Sequence, residues 1–484
     1  MKSLGIKKNF LYQFLYQVII LIVPLILSKY VTHAITNDAL GVYSYSYSIA
    51  SIFVILAMLG IQKYGTREIA RVKDNPTELR RTFWGLYLLH FIFSVFSITL
   101  YLIVCFFVSS GERAIFFIQA VYVASAIFDI TWLYYGLENF KSVVIKNLVV
   151  KVLEVFLIIF LVKSNADVWK YTLIMAGSVF IGQLIVIPTA VHHVHPIAIS
   201  FSDIKHHILP LFMLSISVVA ASIYAYLDKT LIGLLSKNGK SDVAIYEYSE
   251  KVVRIPLGIL TVLGTVMLPR MSSLALRKDV EEEKRMISTS LTVISFLSIG
   301  ALFGIISISE VFVTLWYGSS YQDCSWCIVL MAPIIFFIAF GDIIRSEYLI
   351  PMKKDFAYII SIVAGAITNL VLNLFLIPLL GLRGAIIGTL FAEASICLTQ
   401  LFFCKNQLPI KSYLLIPIPF LFSGAVILSF NNFIQNVMGV SYLTLVVQII
   451  TGFVLYVALC FAFFYLFDKH SLVFFKTLLK TKKK

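Results

Sequence analysis

The sequence predicts an all-α integral membrane protein of about fourteen transmembrane helices, and three observations carry that prediction. The first is composition. The chain has 484 residues, 60% of them hydrophobic and only 13% charged, with a mean hydropathy of +0.93. A soluble domain carries roughly 25% charged residues. Length alone would suggest about three soluble domains, but apolar runs fill nearly the whole chain and exclude a core packed in water. The second observation is the recurrence of apolar segments of about 20 residues, enough to cross ~30 Å of hydrocarbon. The third is the uneven placement of cations in the loops between them.

In chain order the segments fall near 10–32, 40–62, 83–108, 114–137, 143–163, 170–191, 208–233, 244–268, 288–317, 325–350, 356–380, 384–404, 413–431 and 441–467. The start, Met1 to Lys8 ahead of the apolar run Phe10 to Leu27, resembles a signal peptide. That run is long and no small-residue cleavage site follows, so it reads as a first span that stays. The eleventh and twelfth spans are divided only by Pro378 to Arg383.

With the N-terminus inside, the inner loops collect 27 of the 39 cations. These are Lys2, Lys7, Lys8, Lys63, Arg67, Arg71, Lys73, Arg80, Arg81, Lys141, Lys146, Lys205, Arg270, Arg277, Lys278, Lys284, Arg285, Lys353, Lys354, Lys405 and Lys411, with Lys469, Lys476, Lys480, Lys482, Lys483 and Lys484 in the tail. The outer loops hold six: Arg113, Lys163, Lys170, Lys237, Lys240 and Arg383. The asymmetry predicts a cell-membrane protein with both termini cytoplasmic and an even number of spans. The net charge of +14 is therefore a matter of topology, and no nucleic-acid partner is expected.

No loop exceeds about 20 residues, which leaves no room for a soluble catalytic or nucleotide-binding domain; the chain is not expected to be an enzyme. Gly233 to Ser241 resembles a phosphate-cradling loop, but its first Gly is one residue early and it follows a membrane helix rather than a strand. His192, His193, His195, His206 and His207 crowd one linker without a Cys or carboxylate partner in fixed spacing. Cys324-Ser-Trp-Cys327 has redox spacing but no βαβ context. Neither metal nor cofactor is expected.

The chain also repeats itself. Residues 41–46, Gly-Val-Tyr-Ser-Tyr-Ser, match 244–249, Ala-Ile-Tyr-Glu-Tyr-Ser, at an offset that also pairs Arg67 with Arg270. Both copies start on the inner side, so the repeat is parallel. It predicts two pseudo-symmetric six-helix lobes, 1–191 and 208–404, a cytoplasmic linker 192–207 between them, and an appendage, 405–484, of two helices and a basic tail.

At several points the residues form motifs: Gly60-Ile-Gln-Lys-Tyr-Gly-Thr-Arg67-Glu68-Ile-Ala-Arg71, Asp129-Ile-Thr-Trp132-Leu-Tyr-Tyr-Gly136-Leu-Glu138-Asn-Phe140-Lys141, Tyr226-Leu-Asp228-Lys229-Thr230, Tyr246-Glu-Tyr-Ser-Glu250-Lys251, Leu268-Pro269-Arg270-Met-Ser272, Tyr348-Leu-Ile-Pro351 to Lys354, and Gly384-Ala-Ile-Ile-Gly388-Thr-Leu-Phe-Ala-Glu393. In this order they resemble the polysaccharide repeat-unit flippases, relatives of multidrug-and-toxin exporters and lipid II flippases. The resemblance covers most of 1–404. It implies an undecaprenyl-diphosphate-linked oligosaccharide as substrate, moved from the inner to the outer leaflet for capsule, exopolysaccharide or O-antigen synthesis. It further implies a two-lobe rocking mechanism coupled to an ion gradient, membrane lipids as surroundings, and polysaccharide polymerase and chain-length machinery as partners. The alternatives are a lipid II flippase or small-molecule exporter of the same superfamily, and a membrane glycosyltransferase or repeat-unit polymerase. The latter two need carboxylates or Arg on a sizeable outer loop.

The residues supply candidates of their own. A sugar hydroxyl costs ~4–8 kcal/mol to bury in hydrocarbon without a partner, so such a substrate needs a wet, cationic cleft. Cations inside a span cost at least ~2.5–3.5 kcal/mol each at its centre and are functional suspects. In the eighth span Glu247, Glu250, Lys251 and Arg254 recur at spacings of three and four, hence on one face. Asp228 and Lys229 in the seventh span and Lys29 in the first lie at similar depth. They read as a diphosphate patch of Lys29, Lys229, Lys251 and Arg254, tuned by Asp228, Glu247 and Glu250. The other reading is i,i+4 pairing of Glu247 with Lys251 and Glu250 with Arg254. Lys151 and Glu154 suggest a structural pair, with each other or with Asp129. Asp342 and Arg345 suggest a gate, with Glu347 beside them. Glu393 stands as a candidate ion-coupling carboxylate.

Overall fold

The computed structural model describes residues 23–191, 194–277 and 279–467, without the side chains of 202, 214–225, 464, 466 and 467. Most of the first span, Lys2, Lys7, Lys8, His192, His193, Lys278 and the basic tail from Lys469 lie outside the described residues. Among the described residues the secondary structure is helical throughout. In order these are α1 (23–34), α2 (Asn37–Met58), α3 (Ile61–Val72), α4 (Pro76–Phe107), α5 (Ser110–Ser125), α6 (Thr131–Gly136), α7 (Phe140–Leu161), α8 (Val168–Val191) and α9 (Phe201–Leu235). There follow α10 (Lys240–Arg277), α11 (Val280–Trp316), α12 (Cys324–Met331), α13 (Ile334–Ile344), a π-helical turn (Arg345–Leu349), α14 (Asp355–Leu380), α15 (Leu382–Cys404), α16 (Ile410–Leu415), α17 (Ile418–Met438) and α18 (Tyr442–Phe467).

Ten of these helical stretches are long and apolar enough to cross a membrane, and the bent pair Ser319–Met331 and Ile334–Leu349 makes an eleventh. α7 is not among them because it carries Lys146, Lys151 and Glu154 within its apolar stretch. α10, with 38 residues, is about 57 Å long at 1.5 Å per residue, well beyond the hydrocarbon thickness. The large apolar side chains left uncovered, such as Phe96 on α4, Phe156 and Phe160 on α7 and Phe453 on α18, would be an aggregation surface in water. In a bilayer they are the lipid-facing surface.

Three spans expected to be continuous are broken. The second turns at Leu59 and Gly60, both at positive φ, 38° and 71°. The fourth unwinds through a 3-10 turn at Ala126–Phe128 and an extended Asp129. The tenth bends by 40° between α12 and α13, at Ala332 and Pro333. Irregular backbone at membrane depth survives only where protein or a water-filled cavity satisfies it. The eleventh and twelfth spans do divide as expected, by a turn at Gly381 with φ 59°.

The chain falls into two compact units. One takes in the chain up to Glu247 together with Asn373–Leu382, the other Tyr248–Leu372 and the chain from Arg383 on. In the first unit the family-like motifs turn out to be packing devices. A Cβ on Gly65 of α3 would stand 2.6 Å from the Trp132 ring of α6, and one on Gly136 of α6 would stand 2.5 Å from Ile69 Cγ2 of α3. The two helices are thus notched into each other, and Ile69, Trp132, Leu133 and Tyr134 join Phe83 and Leu86 of α4 in one buried core. In the same unit Gly41 of α2 lies against the backbone of Lys240, the first residue of α10.

In the second unit α17 and α18 are knitted to α11. Asn431 donates to Ser307 Oγ (2.8 Å), Gln448 donates to the Asn431 carbonyl (3.0 Å), and Tyr456 donates to the Phe296 carbonyl (2.7 Å). Gly300 receives the Tyr456 ring and Gly424 the Phe303 ring. These two helices, expected as an appendage, complete the core around Ile299, Phe420 and Ile427.

Candidate functional site

Charged side chains within the spans gather in a few places. In the first unit Asp228 and Lys229 occupy the last turns of α9. The Asp228 carboxylate is 6% exposed. It accepts from Tyr246 OH (2.8 Å) and Asn373 Nδ2 (2.6 Å). Lys229 Nζ lies 3.9 Å from Glu247 Oε2, the two side chains being 12% and 10% exposed. Pairing is what permits both to be buried, since an unpaired charge there would cost several kcal/mol. Beside them runs a row of phenols. Tyr47 stacks on Tyr43 (5.9 Å between centroids) and on Tyr122 (5.0 Å), and meets Tyr226 edge-on. Asn373 was not found by sequence reasoning. Its signal was Asn369-Asn373, a four-residue repeat of amides in an apolar helix, both fully buried.

In the second unit Glu250 and Arg254 form the expected i,i+4 pair, with Arg254 Nε donating at 2.7 Å. The Arg254 side chain is nonetheless 57% exposed, against 15% for Glu250. Lys251 places its ammonium 4.1 Å from the Tyr248 ring centroid, and Tyr248 packs on Tyr317 and Tyr321. The single face read from the sequence is thus shared out: Glu247 goes to Lys229, Lys251 to Tyr248, Glu250 to Arg254. Pro256, two residues after Arg254, sits inside α10 and removes one backbone hydrogen bond, a standard cause of a bend.

Asp342 and Arg345 are also paired, at the junction of α13 and the π turn. The Arg345 guanidinium lies 5.9 Å from the Tyr358 ring centroid. α10 passes this junction at backbone distance, because a Cβ on Gly264 would stand 2.5 Å from both Asp342 Oδ2 and Ser346 Oγ. Glu347, on the same π turn, is completely buried. Glu393 lies half-buried on α15 and Lys29 half-buried on α1. Lys151 pairs with Glu154 (2.5 Å), which also accepts from Ser178 Oγ (3.0 Å); Asp129 instead accepts from Thr131 N at the break in the fourth span (3.0 Å). His207 is committed to Tyr64, whose hydroxyl lies 2.9 Å from its Nδ1. Cys324 and Cys327 are buried free thiols.

Broken spans and buried charges inside an all-helical chain mark a polytopic membrane protein with an internal polar site, an arrangement that transporters use. Residues 6–275 match the family described as "Polysaccharide biosynthesis protein". The chain belongs to that family. It is 23% identical over 402 residues, 82% of this chain and 99% of the relative, to a candidate O-antigen transporter of Shigella dysenteriae. It is 24% identical over 257 residues, 49% of this chain and 52% of the relative, to the candidate low-salt glycan biosynthesis flippase Agl15 of Haloferax volcanii. Among solved structures, the lipid II flippase MurJ in an inward closed conformation superposes with a TM-score of 0.66 at 16% identity, over 94% of this chain and 98% of that one. The fold is therefore the two-lobed helical fold of that flippase.

Proposed function

We propose that the protein is a flippase that carries undecaprenyl-diphosphate-linked oligosaccharide repeat units from the inner to the outer leaflet for surface polysaccharide synthesis. Family membership supports the class of substrate. One observation supports the cleft: Arg254 keeps a half-exposed guanidinium in a helix that otherwise crosses hydrocarbon. Facing lipid, that group would cost at least ~2.5–3.5 kcal/mol. Facing a wet cavity it costs little, and the donors of its planar fork that Glu250 does not engage suit phosphate oxygens.

In this reading Arg254, Lys251, Lys229 and Lys29 attract the diphosphate while the prenyl chain stays in the bilayer. Asp228, Glu247, Glu250 and Glu393 are the carboxylates available for coupling to an ion gradient. Asp342 and Arg345 hold a gate. The lobes 1–191 and 208–404 rock about the linker 192–207. The chain makes fourteen spans in the cell membrane with both termini cytoplasmic, and delivers its cargo to a polymerase and its chain-length machinery.

The test is a deletion strain without a substitute flippase. Finished lipid-linked repeat units should accumulate on the inner leaflet, protected from a membrane-impermeant periodate label in intact cells. Repeat units that still reach the outer face in that strain would overturn the function.

A further inference from the structure

Glu347 is a buried acid that the flippase reading above leaves without a task. Its side chain is completely inaccessible, and neither carboxyl oxygen has a hydrogen-bond partner among the described residues, although Ser290 of α11 faces it. It sits on the π-helical turn Arg345–Leu349; such turns are rare and concentrate at functional sites. Burial takes from a carboxylate in that place the solvation that stabilises its charge, whereas the neutral acid does not need it. Arg345, two residues earlier, holds Asp342 through one terminal nitrogen while its Nε is buried and without a partner among the described residues.

Tyr413 of α16, itself buried, lies within electrostatic reach of Glu347, Glu283 and Tyr348. Its hydroxyl donates to the Lys284 carbonyl at 3.2 Å. Tyr413 also forms part of the wall of an open cavity of about 670 Å³ lined by Asp279, Glu282, Lys284, Arg285 and Ser288 at the start of α11. The other charged group facing this cluster is Lys354, which donates to Tyr348 OH at 3.2 Å.

We propose that Glu347 is a proton site of the transport cycle, loaded and unloaded past Tyr413 from this cavity; its place in the cycle rests on the flippase reading. In the loaded state Glu347 is the neutral acid and Arg345 holds Asp342. On unloading, the O–H bond of Glu347 breaks and the proton leaves past the Tyr413 hydroxyl to water in the cavity. The new carboxylate faces the Ser290 hydroxyl of α11, and Arg345 keeps Asp342. One proton moves, and the Arg345–Asp342 pair is kept.

The experiment uses the full-length protein purified in detergent and the same variants in cells. Infrared spectra at neutral pH report the carbonyl stretch of un-ionised carboxylic acids, which exposed carboxyl groups do not show. Glu347→Gln should remove one such band, leave abundance and thermal midpoint unchanged, and abolish surface polysaccharide output. Glu347→Asp, which keeps the acid, should restore output, and Tyr413→Phe should retain the band but slow output. An unchanged band in Glu347→Gln, or full output from that variant at equal abundance, would overturn the proposal. The band is read without substrate, so it stands or falls separately from the deletion-strain test of the flippase function.

Discussion

Arg254→Gln separates binding from folding, because the geometry limits how much stability the pair can supply. Arg254 and Glu250 are an i,i+4 pair on one helix, and the Arg254 side chain is 57% exposed. Exposed pairs of this spacing contribute about 0.3–0.5 kcal/mol. Losing the pair therefore shifts a folding equilibrium only about twofold, since 1.4 kcal/mol corresponds to a factor of ten. Abundance in the membrane and the thermal midpoint in detergent should stay within error of the parent. If Arg254 binds diphosphate, surface polysaccharide output in a complemented deletion strain should nevertheless collapse. Glu250→Gln added to the same chain removes the carboxylate left unpaired, and output should remain low. Recovery of output in the double variant at equal abundance would refute the binding role and leave a structural pair.

Three further outcomes follow from the geometry. Lys229 and Glu247 are both buried, so Lys229→Met should lower abundance sharply, by about 3–5 kcal/mol of stability, and Glu247→Gln in the same chain should restore much of it, as read by thermal melting of a fluorescent fusion. Gly136→Ala should destabilise by about 1–3 kcal/mol through overpacking, because its Cβ would meet Ile69 Cγ2, and the same change should cost less in an Ile69→Ala background; an equal cost in the two backgrounds would contradict the notch. A reporter inserted after Asp279, between α10 and α11, should report the cytoplasm, and a periplasmic signal would end the topology.

The uncovered phenylalanines of α4, α7 and α18 and the long α10 and α11 show how burial works in this chain. Apolar residues do not mark the inside here, because lipid is as good a solvent for them as the protein core. Polar side chains mark it instead: Asn431, Gln448 and Ser307 bind three helices, and Asp228 with Tyr246 and Asn373 binds three more segments. In hydrocarbon an unsatisfied amide or carboxylate is expensive, so each one fixes a neighbour.

By itself the sequence determined the fold class, the approximate place of the spans, and their division at Gly381. It also determined the short-range pairs Glu250–Arg254 and Lys151–Glu154. Span length, hydropathy and i,i+3 or i,i+4 spacing are local properties, and one helix face is enough to read them. Only the tertiary structure decided the rest. It broke the second, fourth and tenth spans, because whether an irregular turn is tolerated depends on the neighbours that satisfy its backbone. It sent Glu247 to Lys229, 18 residues away in the chain, and Asp228 to Asn373, 145 away, since long-range partners leave no periodic trace. It also converted Gly65, Trp132 and Gly136 from motif residues into a helix notch. Finally, it left Glu347 fully buried with the Ser290 hydroxyl of α11 facing it, a property set by the helices around it and not by the residues beside it in the chain.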